Sequence, residues 1–236
     1  MTNRPLIGIL LDYEAKGSFS SRPHYALRTA YFDAVWKAGG LPVGLPYLDE
    51  ARDDYLDAVD GLIVPGGFYP FPASFYGKPD DGAPEHPRYT FERVLMNDAL
   101  ERDMPTLGIC AGMQTMAATR GATMWADIKN ELDCAVDHLN GKPAEQVAHS
   151  IKIEPGTLLR EIAGADEISV NTAHNEALRD VPDGIKVSGR APDGVIEAIE
   201  IPDRAFALGV QWHPEFFLDD ADPSFQLFKR LVAETK

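Results

Sequence analysis

Apolar residues in the first half of the chain follow two rhythms, short unbroken runs and longer stretches with a helical period. "PLIGILL" (5–11), "LPVGLP" (41–46), "DGLIVPGG" (60–67) and "MPTLGIC" (104–110) read as buried strands. Between them, "HYALRTAYFDAVWKAGG" (24–40) puts Leu27, Ala30, Tyr31, Ala34 and Val35 on one helical face and stops at Gly39-Gly40. "ARDDYLDAV", "RYTFERVLMNDALERD" and "GMQTMAATRG" read as further helices, the last closed by Gly121. Strand–helix alternation of this kind predicts an α/β fold, a mostly parallel sheet with helices on both faces.

After residue 145 the texture changes. "AHSIKIEPG", "EISVNTAH", "IKVSGRAPDG", "VIEAIEIPD" and "AFALGVQWHPE" are five strand-like runs separated by turn signals such as Pro-Asp-Gly. They predict extra antiparallel strands and a return to the main sheet. "PSFQLFKRLVAET" closes the pattern as an amphipathic helix. One stretch breaks the rhythm: "FYPFPASFYGKPDDGAPEHP" (68–87) is rich in proline, glycine and aromatics, and too long for a simple connector. It reads as a functional loop over a site. With no repeat and no low-complexity tract, residues 1–236 read as one domain.

Composition narrows the function. The 236 residues carry 22 Lys plus Arg against 37 Asp plus Glu, a formal net charge of −15. So acidic a surface argues against nucleic-acid and membrane-surface partners, and says little about a small-molecule substrate, since a local pocket can be basic on an acidic protein. The N-terminal apolar run is broken early by Asp12 and Glu14, unlike a secretory signal, and no run approaches the ~20 apolar residues of a membrane helix. Two cysteines, without metal-ligand spacing to each other, predict neither a disulfide framework nor a metal site, and suit a reducing cytoplasm. Homo-oligomerisation is left open.

Three pieces of sequence carry candidate chemistry. Gly108-Ile109-Cys110-Ala111-Gly112 has the G-x-nucleophile-x-G form of a sharp strand-to-helix turn that exposes its central side chain. Such a turn leaves the thiol at a helix N-terminus, where the dipole favours thiolate, and offers the Ala111 N–H as an oxyanion donor. Trp212-His213-Pro214-Glu215 ends a β-type run, and Pro214 biases His213 toward an extended conformation. Residues two apart in an extended chain share a side, so Glu215 can orient His213 and His213 can deprotonate Cys110. Gly66-Gly67, after a buried strand, can present backbone N–H groups into a cleft at the sheet edge where open α/β folds bind ligands.

These pieces, with flanking "AYFDAVWKAGGLPVGLP", "LGICAGMQ", "ISVNTAHNEAL" and "APDGVIEAIE", resemble a class I glutamine amidotransferase-type hydrolase almost end to end. More narrowly, the chain resembles the γ-glutamyl-γ-aminobutyrate hydrolase family of amine and polyamine catabolism. The resemblance implies a flavodoxin-like core, hydrolysis through a γ-glutamyl thioester, and no cofactor. It implies Cys110 as nucleophile, His213 as base and acid, and Glu215 as orienter. It also implies oxyanion contacts from backbone near Gly66, Gly67 and Ala111, with Gln114 and His174 lining the glutamyl pocket. Departures from the family pattern fall at Ala111, at the aromatic stretch after Gly67, and at Asn175-Glu176, where a second His and a Gln are usual.

The remaining candidates are weaker. His149 reads as a structural hydrogen-bonder, His24, His86 and His138 as solvated or locally packed, and Cys134 as packing. Two alternatives to a γ-glutamyl amide hydrolase stay open at this point. One is a glutaminase subunit feeding ammonia to a separate synthase, and the other is a non-catalytic γ-glutamyl-binding regulator.

Overall fold

The computed structural model describes residues 4–80, 82–132 and 134–235. Among these residues a nine-stranded sheet dominates. Its strands in chain order are β1 (Leu6–Leu10), β2 (Leu41–Leu45), β3 (Gly61–Val64), β4 (Thr106–Ile109) and β5 (His149–Ile153). They continue as β6 (Glu167–Val170), β7 (Lys186–Arg190), β8 (Ile196–Glu200) and β9 (Ala207–Val210). Across the sheet the order is β2-β1-β3-β4-β9-β8-β7-β5-β6. The first five strands are parallel and follow the flavodoxin-like order, with β9 in fifth place. The other four extend the sheet by antiparallel pairing.

Helices cover both faces: α1 (Thr29–Ala38), α2 (Arg52–Ala58), α3 (Pro87–Glu101), α4 (Ala111–Ala118), α5 (Leu158–Ala163) and α6 (Pro223–Glu234). Side chains alternate along each parallel strand, so two cores form from one sheet. Leu62 and Val64 of β3 pack with Leu95 and Met96 of α3 and Met113 and Met116 of α4. Ile63 of the same strand, with Ile7, Ile9, Leu107 and Ile109, faces Val35 of α1 and Phe225, Phe228 and Leu231 of α6. Full burial of each such side chain contributes roughly 1.5–3 kcal/mol. Among the described residues no helix is long and apolar enough to cross a membrane.

Helix ends follow the sequence signals. Gly39 takes φ 100°, and the N–H groups of Gly39 and Gly40 donate to Trp36 O and Val35 O, closing α1. Asp222 Oδ1 accepts from Ser224 N at 2.8 Å, with Pro223 at the first position of α6. One start differs from the pattern: the helix read from His24 begins at Thr29. Residues His24–Ala26 instead pair antiparallel with Asp12–Glu14, and Tyr13, Tyr25 and Tyr47 pack together across that hairpin. Aromatic cross-strand contacts outweigh the helical period there. The 68–87 segment also differs, because most of its aromatics do not face solvent. Phe71 and Phe75 pack on Tyr89 of α3 and Tyr69 packs on Phe71, all three buried, leaving Phe68 exposed.

The backbones of β3 and the start of α4 approach each other closely. A Cβ on Gly112 would lie 2.0 Å from Val64 O, and one on Gly108 would lie 2.6 Å from Gly112 O. Both obstacles are backbone. Replacing Gly112 with Ala is therefore expected to cost about 3 kcal/mol by overpacking, a fall in Tm of roughly 6–12 °C, whereas Gly121→Ala meets no neighbour and should cost only the roughly 1–2 kcal/mol of its left-handed backbone at φ 88°. Thermal denaturation of the two variants checks the contrast, which a similar loss in both would refute.

Candidate active site

The C-terminal ends of β3, β4 and β9 lie side by side in the sheet, so the residues that follow them converge at one edge. After β4, Cys110 takes φ 52° and ψ −108°, a backbone that side-chain-bearing residues rarely adopt. The turn is held on both sides: Cys110 N donates to Val210 O at 2.7 Å, and Cys110 O accepts from Gln114 N at 3.1 Å. Ala111 then opens α4, so its N–H has no carbonyl one turn earlier within the helix. Gln211 Nε2 donates to Cys110 Sγ at 3.5 Å, an N–H placed to stabilise charge on sulfur.

The turn after β3 is fixed by a guanidinium with no solvent exposure. Arg88 donates to Pro65 O and, at 3.2 Å, to Gly66 O. Arg88 also pairs with Glu92 at 2.7 Å and with Asp12 at 3.1 Å. A trans peptide points its N–H opposite to its carbonyl. With both carbonyls turned to Arg88, the N–H groups of Gly66 and Gly67 therefore point the other way. The Gly66 N–H meets Tyr31 Oη at 3.0 Å, while that of Gly67 makes no hydrogen bond to the described residues. A Cβ on Gly67 would sit 2.0 Å from Arg88 Nη1, so glycine is what lets the clamp close. On Gly66, a Cβ would lie 2.5 Å from His213 Cε1 and 3.2 Å from Cys110 Cβ, which shows how closely the thiol and imidazole flank this turn.

His213 is buried and anchored at both its backbone and its ring. Asn171 Oδ1 accepts from His213 N at 2.8 Å, and Asn171 Nδ2 donates to His213 O at 2.9 Å. His213 Nδ1 faces Glu215 Oε1 at 2.9 Å, leaving Nε2 for the thiol side. Burial alone lowers an imidazole pKa, but the Glu215 carboxylate and Cys110 outweigh it and hold His213 at about 10. Glu215 is fully buried, with the Arg28 guanidinium 3.7 Å from Oε1. Tyr31 stays neutral beside it, since burial and the Glu215 charge push its phenol well above the usual range.

A cleft of about 440 Å³ opens over these groups, lined by Cys110, His213, Gly66, Gly67, Phe68 and Ala173, with Asp12, Glu14 and Arg28 at its charged walls. The structure thus gathers Cys110, His213, Glu215, Gly66, Gly67 and Ala111 at one sheet edge. Gln114 and His174 are placed elsewhere. Gln114 is buried, with Nε2 donating to Glu176 O at 3.1 Å and Gln211 Oε1 at 3.2 Å. His174 Nδ1 bonds Glu176 O at 3.0 Å, and its ring joins a buried cluster with His138, His149 and Glu197. The cleft residue of that run is its neighbour Ala173, because adjacent residues of an extended segment point opposite ways. Glu176 turns from the cleft and accepts from Tyr76 Oη at 2.7 Å.

Several residues at the site were not singled out by the sequence reading. Gln211 carried a usable signal, since it lies two positions before His213 on an extended run. Asn171, Arg28 and Arg88 carried none, because their roles depend on partners far away in sequence. Arg88 and Glu92, four apart on a helix, look like an exposed i,i+4 pair, yet neither has any solvent exposure.

Removing one partner of such a pair leaves a bare buried charge. Arg88→Met is expected to cost about 3–5 kcal/mol, and adding Glu92→Leu should recover much of that loss. Chemical denaturation of the single and double variants measures the coupling, and a double variant less stable than Arg88→Met would contradict it.

Comparison with known proteins gives the family and the fold. Residues 5–215 match the peptidase C26 family. The chain is 32% identical to a Rickettsia prowazekii protein that bears the provisional name glutamine amidotransferase-like protein, over 100% of this chain and 99% of that one. It is 30% identical to the gamma-glutamyl-gamma-aminobutyrate hydrolase of Escherichia coli O157:H7, over 98% of this chain and 93% of that one. The glutaminase domain of Trypanosoma brucei CTPS, solved with bound acivicin, shares the fold at a TM-score of 0.67 and 19% identity, covering 98% of this chain and 93% of that one. With the motifs, the sheet order and these relatives in agreement, the chain belongs to the peptidase C26 family and is a class I glutamine amidotransferase-like hydrolase.

Proposed function

We propose that the protein hydrolyses the γ-amide bond of γ-glutamyl amines, with Cys110 as nucleophile, His213 as acid and base, and Glu215 as the carboxylate that orients His213. The observation that carries this reading is the imidazole of His213, fixed at 2.9 Å from Glu215 Oε1 and flanking the Gly66 turn together with Cys110. The Cys110 sulfur adds to the γ-carbonyl carbon, and the oxygen takes up charge against the N–H groups of Gly67 and Ala111. Collapse breaks the C–N bond as His213 gives its proton to the departing amine. Water then attacks the thioester and gives a proton to His213, which releases glutamate and restores the thiolate–imidazolium pair.

The cleft walls support a zwitterionic substrate. Arg28 offers a cation for an α-carboxylate, and Asp12 and Glu14 offer anions for an α-ammonium or a cationic amine. The name of the Escherichia coli relative supports the γ-glutamyl class.

Mass-spectrometric turnover of γ-glutamyl-γ-aminobutyrate, a γ-glutamyl polyamine, a γ-glutamyl anilide and free glutamine tests the substrate class. A γ-glutamyl amine is expected to exceed glutamine at least tenfold in kcat/KM. Preference for glutamine would replace this reading with an ammonia-delivering glutaminase. Cys110→Ala should lower turnover by at least ~10⁴-fold, and wild-type turnover in that variant would sink the mechanism. The pH profile provides a second check. His213 must be protonated to release the amine, so activity should fall as pH rises through about 10. In Glu215→Gln, which removes the charge that raises His213, this basic limb should move to lower pH. An unmoved limb would assign it to another group.

A further inference from the structure

Away from the cleft, three imidazoles converge on one carboxylate in the interior. Glu197 Oε1 lies 3.3 Å from His138 Nδ1, 3.4 Å from His174 Nε2 and 3.6 Å from His149 Nε2. His138, His174 and Glu197 are 3%, 5% and 0% exposed, and the His149 side chain is 5% exposed. None of these inward nitrogens, and neither Glu197 oxygen, makes a hydrogen bond among the described residues. Buried polar atoms are nearly always paired, so this concentration needs an explanation.

The outer nitrogens sharpen the point. His149 Nδ1 lies 3.0 Å from Ser150 O, and His174 Nδ1 lies 3.0 Å from Glu176 O. A carbonyl only accepts, so both Nδ1 atoms carry the proton, and in the neutral rings both Nε2 atoms present lone pairs inward. His138 Nε2 lies 3.0 Å from Asp193 Oδ2, which turns its Nδ1 inward as well. Three ring lone pairs and a carboxylate facing one another repel unless a cation or a shared proton lies between them. A carboxylate or carbonyl behind each ring is how proteins fix the tautomer of metal-bound histidines.

We propose that His138 Nδ1, His149 Nε2, His174 Nε2 and Glu197 form a structural site for a single zinc ion. Tetrahedral ligands at Zn–N and Zn–O distances of about 2.0–2.1 Å stand roughly 3.3–3.4 Å from one another. The ligand atoms of His138, His174 and Glu197 all lie within 4.8 Å of one another, and His149 Nε2, 3.6 Å from Glu197 Oε1, is the one that moves inward to complete the set. A set of three imidazoles and one carboxylate suits zinc in preference to magnesium or calcium. The two buried carboxylates, Glu197 and Asp193, balance a divalent charge. A cleft of about 230 Å³, lined by residues 134–139 with His174 and Asn175, gives an ion a route to His138 and His174.

The ligands come from the segment before β5, from the start of β5, from the segment after β6, and from β8. An ion there cross-links the 171–176 run to the sheet. That run supplies Asn171, which holds the His213 backbone, and Glu176 O, which holds Gln114. The site is therefore an anchor for the edge that carries His213, and it does not touch the reacting atoms. It stands independently of the substrate proposed above.

The test uses the full chain carrying Cys110→Ala, so that the cleft thiol cannot hold zinc. After purification in zinc-supplemented medium, plasma mass spectrometry should find one zinc per chain. Chelation should lower Tm, and adding zinc alone should restore it. Cobalt(II) in place of zinc should give the intense visible bands of tetrahedral coordination, without a sulfur-to-metal charge-transfer band. His149→Ala and Glu197→Gln should each weaken zinc binding at least tenfold. Asp193→Asn, which keeps all four ligands, covers the case in which those variants do not fold and should weaken binding about 10–100-fold. Folded protein that holds no zinc and whose Tm is unmoved by zinc would overturn the site in favour of a proton-sharing histidine cluster. Loss of zinc in Cys134→Ser but not in His149→Ala would overturn the ligand assignment.

Discussion

Val64 O occupies the space where a side chain on Gly112 would begin, and that close approach of backbone to backbone sets the geometry of the whole site edge. Because α4 starts hard against β3, Cys110 must turn from strand to helix within one residue, at a φ of 52°. The same approach brings the Gly66-Gly67 turn alongside the thiol. Glycine at 66 and 112 is a matter of space rather than flexibility, since neither residue has a positive φ. The strain at Cys110 persists because hydrogen bonds to Val210 and Gln114 hold the turn from both sides.

Buried charge supplies the second level of order. Arg88 and Glu92 are taken out of water completely, and such a pair stabilises a fold little compared with an apolar replacement. Its evident product is geometric. A planar guanidinium that grips two successive carbonyls fixes the direction of two peptide planes, and with them the direction of the Gly67 N–H. At the opposite wall, Glu215 raises the proton affinity of His213 by charge while Asn171 fixes its backbone by hydrogen bonds. The electrostatic and positional controls on His213 therefore come from different elements.

The run from Asn171 to Glu176 links these features to the rest of the molecule. Within six consecutive residues it holds His213, lines the cleft at Ala173, enters the histidine cluster at His174 and reaches the 68–87 loop through Glu176 and Tyr76. An irregular segment with so many polar attachments needs a firm anchor. The buried cluster around Glu197 lies where such an anchor would act, directly behind the ring of His174.

Much of this architecture was legible in the chain itself. The short apolar runs, the helical period between them and the five later strands matched the sheet because each depends on local alternation of residue types. Gly108-x-Cys110-x-Gly112 and His213-Pro214-Glu215 were legible for the same reason, as steric and hydrogen-bonding requirements over a few neighbours. The hairpin at His24–Ala26, the clamp by Arg88 and the Asn171 bridge were not, since each depends on partners 10 or more residues away. His174 shows the limit most clearly. Its run placed it near the site, but the alternation of an extended backbone gave the cleft to Ala173 and turned the imidazole inward. The sequence by itself determined the strand–helix order and the reactive residue types at the sheet edge. Tertiary structure alone decided which polar groups meet behind that edge, because convergence of residues 138, 149, 174 and 197 comes from strand pairing and from no local spacing.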